Sequence, residues 1–143
     1  MFVRQVLATK GREVATISQD RTIADALTEL NTRRIGALVV TGALPPLAGI
    51  FSERDAVRAF ASHGADALSM PVSSFMSDDV IICHESSTMD MLMTLMTEQR
   101  IRHVPVIEDN VLVGMISIGD VVKARLTELE NDKRELLDYV TAR

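Results

Sequence analysis

Gly49-Ile50-Phe51-Ser52-Glu53-Arg54-Asp55 recurs as Gly114-Met115-Ile116-Ser117-Ile118-Gly119-Asp120, with glycine, serine and aspartate at the same three places. Working outward, Thr22–Val40 lies over Thr88–Val106, pairing Thr22 with Thr88, Thr28 with Thr94, Arg34 with Arg100, Ile35 with Ile101 and Val40 with Val106. The register slips once between this upstream match and the motif, in the turn that separates them. Two matches in the same order, separated by a single gap in a turn, mark a duplicated unit.

Each copy carries the same pattern of elements. A short apolar strand, Val14–Ile17 or Val80–Cys83, precedes a helix. The helices place Ile23, Ala26, Leu27 and Leu30, or Met89, Leu92, Met93 and Met96, at i, i+3, i+4, i+7, one buried stripe in each. Ala37–Val40 and Val104–Ile107 are too short and too β-branched for helices and are predicted as strands. After a turn, a second strand ends at Phe51 or Ile116 and a second helix starts. The prediction is an α/β (α+β) fold of two pseudosymmetric β-α-β-β-α repeats. A short N-terminal helix closes near Gly11, and the last helix runs on toward the C-terminus. The expected organisation is repeat 1 with the N-terminal helix over 1–66, a linker over 67–79, repeat 2 over 80–128 and a helical extension over 129–143.

Composition narrows the class. The chain has 143 residues, 47% of them apolar, enough to bury a core and too many for a disordered chain. Fifteen basic against twenty acidic residues leave a net charge of −5, which argues against nucleic acid or an anionic membrane as the main partner. No apolar run reaches the length of a membrane span, and nothing at the start reads as a targeting segment. With one cysteine, Cys83, no intrachain disulfide forms, and the cytoplasm is the expected compartment.

The Gly-x-x-Ser-x-x-Asp motifs admit two readings. Serine at a helix N-cap with an acid three residues on is a capping box, worth about 1 kcal/mol without any ligand. The same residues also suit a nucleoside, because one carboxylate accepts from both ribose hydroxyls and helix N-terminal amides favour phosphate. Other constellations carry less. Cys83 and His84 are adjacent and point to opposite faces of a strand, a poor thiolate–imidazole geometry. His63, His84 and His103 lack metal-ligand spacing. Met89, Met93 and Met96 belong to a helix stripe, so the expectation is no metal, no catalytic residues and no catalytic cofactor.

The duplicated pattern, the segment Ile101-Arg102-His103-Val104-Pro105-Val106 and the two motifs together resemble a tandem CBS-domain pair, or Bateman module, named after cystathionine beta-synthase. The resemblance covers about residues 12–126 and is nearest to stand-alone bacterial CBS-pair proteins. It implies repeats that pack pseudosymmetrically, pairs that dimerise into a disc, and adenosine derivatives (AMP, NAD or ATP) in clefts between repeats. Carried over, Asp55 and Asp120 hold ribose, and Ser52 and Ser117 lie near ribose or phosphate. Arg102, His103 and Arg54 are phosphate candidates, and Thr16, Ile82, Cys83, Met115 and Ile118 are adenine-side candidates. Because the first copy has Gly36-Ala37 where the second has Arg102-His103, Arg102 is expected to serve the Asp120 side. The implied function is a regulatory, non-enzymatic nucleotide-binding homodimer with an unspecified downstream protein. The alternative is a purely structural dimerisation module.

The C-terminal helix adds a feature of its own. Val122, Leu126, Leu129, Leu136 and Val140 form an a/d-type seam with Lys133 at the skipped position. Val122 and Leu126 suit packing against their own repeat. Beyond Leu129 the helix has outrun that repeat, and residues 129–143 are expected to meet a second subunit.

Overall fold

The computed structural model describes residues 1–142. In chain order it contains α1 (Val3–Lys10), β1 (Thr16–Ser18), α2 (Ile23–Arg33), β2 (Ala37–Thr41), β3 (Gly49–Ser52), α3 (Glu53–His63), α4 (Met89–Gln99), β4 (His103–Glu108), β5 (Val111–Ser117) and α5 (Ile118–Thr141). Two 3-10 segments, Gly64–Ser69 and Val72–Ser74, join the halves. β1 runs parallel to β2, and β2 pairs antiparallel with β3 in one sheet; β4 and β5 form a second, antiparallel sheet.

The repeated sequence produces repeated local structure. α2 and α4 start at Thr22 and Thr88, whose hydroxyls accept the amides of Asp25 (3.1 Å) and Met91 (3.2 Å). Both helices stop at an arginine in the left-handed region, Arg34 and Arg100, each at φ 54°. That conformation costs a non-glycine residue about 1 kcal/mol, and it turns the chain back into β2 or β4. Each half then buries its own stripe: Ile23, Ala26 and Leu30 with Phe51 in the first core, Met89, Leu92 and Met96 with Ile116 in the second. Phe51 and Ile116 occupy equivalent positions and are fully buried, each contributing about 1.5–3 kcal/mol.

Each core is completed by the segment that precedes the other repeat. α1 gives Val3 and Leu7 to the second core, whereas Ala67 and Val72 enter the first. The two segments dock alike. The Met89 amide donates to the Met1 carbonyl and the Ile23 amide to the Met70 carbonyl, both at 2.9 Å. Phe2 bridges Thr88, and Pro71 bridges Thr22. The motif glycines make room for them. A β-carbon on Gly49 would lie 2.6 Å from the Ser77 carbonyl oxygen and 2.9 Å from Met76 Sδ, and one on Gly114 would lie 2.7 Å from Leu7 Cδ2. Met1, Val3 and Leu7 thus correspond to Met70, Val72 and Met76, all three pairs at one common offset along the chain.

Four expectations change. α1 does not pack with the first repeat, as a 1–66 grouping implies, but with the second. β1 lies at Thr16–Ser18 instead of Val14–Ile17. The strand predicted over Val80–Cys83 reduces to one bridge, Cys83 to Val106, because only Cys83 exchanges backbone bonds there, with Pro105 and Ile107 (both 2.9 Å). On α5 the buried positions are Val121 and Ala124. Val122 and Leu126 therefore face outward with Leu129, Leu136, Leu137 and Val140, all about half exposed or more.

Candidate nucleotide clefts

The ends of β3 and β5 deliver the chain into α3 and α5 at Ser52 and Ser117, and both motifs close as capping boxes. Asp55 Oδ2 accepts from the Ser52 amide (2.8 Å) and hydroxyl (3.1 Å). Asp120 Oδ2 accepts the same two donors of Ser117 at 2.8 and 3.0 Å. The capping reading is therefore correct as far as it goes. It engages one carboxylate oxygen of each acid and leaves open what the rest of the side chain meets.

Beside each box lies a cleft between the halves. The first, about 450 Å³, is lined by Ser52, Glu53, Arg54, Asp55 and Arg58 of repeat 1. Its opposite wall is Val80, Ile81, Arg100, Arg102, His103 and Ile118, with Ser77 and Asp79 at the junction. Four arginines and three carboxylates thus line it. Asp55 lines this cleft although only 3% exposed, and its Oδ1 accepts from Arg58 Nη1 at 3.2 Å. Arg54 Nη1 donates to the Arg100 carbonyl (3.3 Å), bracing one half against the other.

The second cleft, about 560 Å³, mirrors the first with the repeats exchanged. Met115, Ser117 and His103 face Val14, Ala15, Arg33, Arg34, Ile35 and Ala37, joined by Lys10 and Glu13. Lys10 lines it, and Asp120 does not. The Lys10 ammonium donates to Asp120 Oδ2 at 2.6 Å and to the Met115 carbonyl at 2.8 Å. Burial pushes the Asp120 carboxyl up, but Lys10 and the Ser117 amide and hydroxyl outweigh it and hold it below the usual carboxylate range.

His103 stands between the clefts and lines both. In the β4–β5 ladder it sits opposite Ser117, as Ala37 sits opposite Ser52. Its ring packs on Gly36, where a β-carbon would come within 3.4 Å of Cε1. Burial, then the neighbouring Arg102, lower its pKa, against the opposing pull of Glu53. The imidazole is thereby favoured in its neutral form.

Ser52, Arg54, Asp55, Arg102, His103 and Ile118 line the first cleft; Met115, Ser117 and His103 line the second. Arg102 belongs with Asp55 and not with Asp120, because each cleft is built crosswise from both repeats. Thr16, Ile82 and Cys83 line neither cleft. Val14 and Ala15, or Val80 and Ile81, take their place. Cys83 lies in the second core, its thiol pushed up to about 12 by burial and then by Glu108. His84 instead brings Nδ1 within 2.7 Å of the Ile107 carbonyl. Sequence reasoning misses Lys10, Arg58 and Asp79. Arg58 has a local signal, one turn of helix after Asp55; for the other two the signal is the offset of Met1 from Met70, which also pairs Lys10 with Asp79. Among the described residues, no group of three or more His, Cys, Asp or Glu side chains could hold a metal ion, and no helix is long and apolar enough to cross a membrane.

Two like halves with a capped Ser-x-x-Asp turn at each of two crosswise clefts define a duplicated, CBS-type module. The family model of the CBS domain matches residues 3–62 and again 72–127, so the chain belongs to the CBS-domain family as a tandem pair. The first match includes α1, in keeping with its part in the duplication. The chain is 34% identical over 147 residues to the CBS domain-containing protein CBSX3, mitochondrial, of Arabidopsis thaliana, covering 96% of this chain and 71% of that protein. Among solved structures, the CBS-domain containing protein ATU1752 from Agrobacterium tumefaciens superposes with a TM-score of 0.84 at 50% identity, covering 87% of this chain and 92% of that one. The CBS domain pair of protein MJ0100, solved in complex with 5′-methylthioadenosine and S-adenosyl-L-methionine, shares the fold at a TM-score of 0.79 and 22% identity, over 90% of this chain and 98% of that one.

Proposed function

We propose that this chain is a regulatory module that binds an adenine nucleotide, AMP-like or NAD-like, between its repeats and is not an enzyme. One observation carries the reading: the first cleft gathers a buried, cleft-lining carboxylate from one repeat and a set of arginines from both. In this reading Asp55 accepts the ribose hydroxyls, Arg54, Arg100 and Arg102 hold phosphate, and Val80, Ile81 and Ile118 flank the base. The adenosine ligands named for the MJ0100 pair point the same way. Calorimetric titration with AMP, NAD and ATP tests it. Asp55→Ala is expected to weaken binding by about 1–3 kcal/mol while the fold survives, since the cap alone contributes about 1 kcal/mol.

The closed capping boxes favour a second reading, a structural dimerisation module whose motifs serve only as helix caps. No nucleotide affinity in the wild type, with a lowered melting point in Asp55→Ala, would establish that reading instead.

Both readings include a homodimer. The outward seam of α5 supports it: a 24-residue helix spans about 36 Å, and Val122, Leu126, Leu129, Leu136 and Val140 along it are about half exposed or more. Truncation after Glu128 is expected to shift the protein toward monomer in sedimentation at micromolar concentration. Undiminished dimer affinity would assign the interface to the repeats.

A further inference from the structure

The two clefts differ at one position that the duplication makes equivalent. The offset that superposes Met1, Val3 and Leu7 on Met70, Val72 and Met76 also places Lys10 on Asp79. Both line their clefts. Asp79 leaves Asp55 among the lining residues. Lys10 instead pairs with the motif acid itself, Asp120, at 2.6 Å. We propose that Lys10 ranks the two clefts: its ammonium is the resident partner of the Asp120 carboxylate, so an adenosine ligand fills the Asp55 cleft first and enters the Asp120 cleft only by displacing Lys10. This inference rests on the nucleotide reading above.

The geometry explains why Lys10 is harder to move than the cation at the other acid. Arg58 reaches Asp55 from one turn further along the same helix, through one bond of 3.2 Å, with its side chain 62% exposed. Lys10 comes from the far end of the chain, is 35% exposed, and bonds two acceptors at once, Asp120 Oδ2 and the Met115 carbonyl. Its backbone is fixed as well. Leu7, one turn earlier, is buried against Gly114, and α1 stops at Gly11, whose φ of 101° only glycine adopts readily. A ribose diol must donate to the same carboxylate, and Oδ2 already accepts from Lys10 and from both Ser117 donors. A neutral nucleoside therefore gains less at Asp120 than at Asp55, because its hydroxyls must displace a cation held by two bonds at Asp120, against an exposed one held by a single longer bond at Asp55.

Adenosine is the discriminating probe, since it has no phosphate that Lys10 could bind. Calorimetric titration of the wild type should show binding that Asp55→Asn abolishes, and a weaker step that Asp120→Asn abolishes. Lys10→Met keeps the aliphatic stem and removes the charge. It is expected to tighten the Asp120-dependent step about fivefold and leave the Asp55-dependent step unchanged. Lys10→Arg should keep the wild-type ranking. Unchanged or weakened adenosine binding at the Asp120 cleft of Lys10→Met would overturn the inference while leaving the nucleotide reading intact. If neither adenosine nor AMP binds any variant at either cleft, the nucleotide reading falls and this inference with it.

Discussion

The two repeats share helix caps, left-handed helix ends and buried stripes, yet their clefts have diverged. The first presents its motif acid to the cavity among four arginines. The second draws its motif acid into a bond with Lys10 and has a histidine where its counterpart has an alanine. The caps, the helix ends and the apolar character of the stripes are common to both; the charged groups beside the motif acids differ. A duplicated fold thus fixes the frame of both clefts and leaves each free to acquire its own electrostatics.

The largest test of that comparison is steric. Gly49 and Gly114 are equivalent, but the obstacle facing a new methyl is different. Gly49→Ala drives a β-carbon into the Ser77 carbonyl, a backbone atom in a ladder with Ile50, whereas Gly114→Ala meets the end of the Leu7 side chain. We expect Gly49→Ala to cost about 2–3 kcal/mol and Gly114→Ala about 1 kcal/mol in urea denaturation. Equal losses would mean that Leu7 is as unyielding as backbone.

A smaller effect concerns ligand charge. Arg102 lines the Asp55 cleft, and Gly36 is its counterpart. Arg102→Ala should weaken AMP about fivefold at the Asp55-dependent step and leave adenosine nearly unchanged. Equal weakening of both ligands would remove Arg102 from the phosphate site.

The smallest is a pH dependence that only the second repeat can supply. His103 has its pKa lowered below the ordinary 6.5, so the unfolded chain takes up a proton that the folded one resists. Stability is full above about pH 6.5 and falls with pH through the window beneath it. In His103→Ala, which restores the residue of the first repeat, the slope of stability against pH in that window should flatten. The depressed Asp120 carboxyl acts separately, its contribution lost only as pH falls below 3.8. An unaltered slope near pH 6 would assign the effect to other groups.

Much of this was legible from local patterns. The stripes of α2 and α4, the threonine caps, the two capping boxes and the long last helix all follow from spacing within one or two elements. The crosswise packing does not. Nothing near Arg102 says that it faces Asp55, because that pairing depends on how one half docks on the other. The apolar run Val80–Cys83 satisfies a strand's periodicity, but only Cys83 finds a ladder partner there. The outward turn of Val122 is likewise a tertiary outcome, since Val121 and Ala124 offer an equally apolar face of smaller bulk. A weak signal for the exchange of segments lies in Met1 and Val3 against Met70 and Val72.

That exchange also sets an order in time. During synthesis the first repeat can close as soon as Ala67, Val72 and Met76 have emerged, because its core then lacks nothing. α1 is made before any of them, yet its seat is formed by Met89, Gly114, Ile116, Val121 and Ala124, the last parts of the module to appear. Val3 and Leu7 therefore find their seat only after the second repeat has been made, and their contacts close a loop of most of the chain. The Lys10–Asp120 bond likewise joins the two ends of that loop, so the second cleft depends on both.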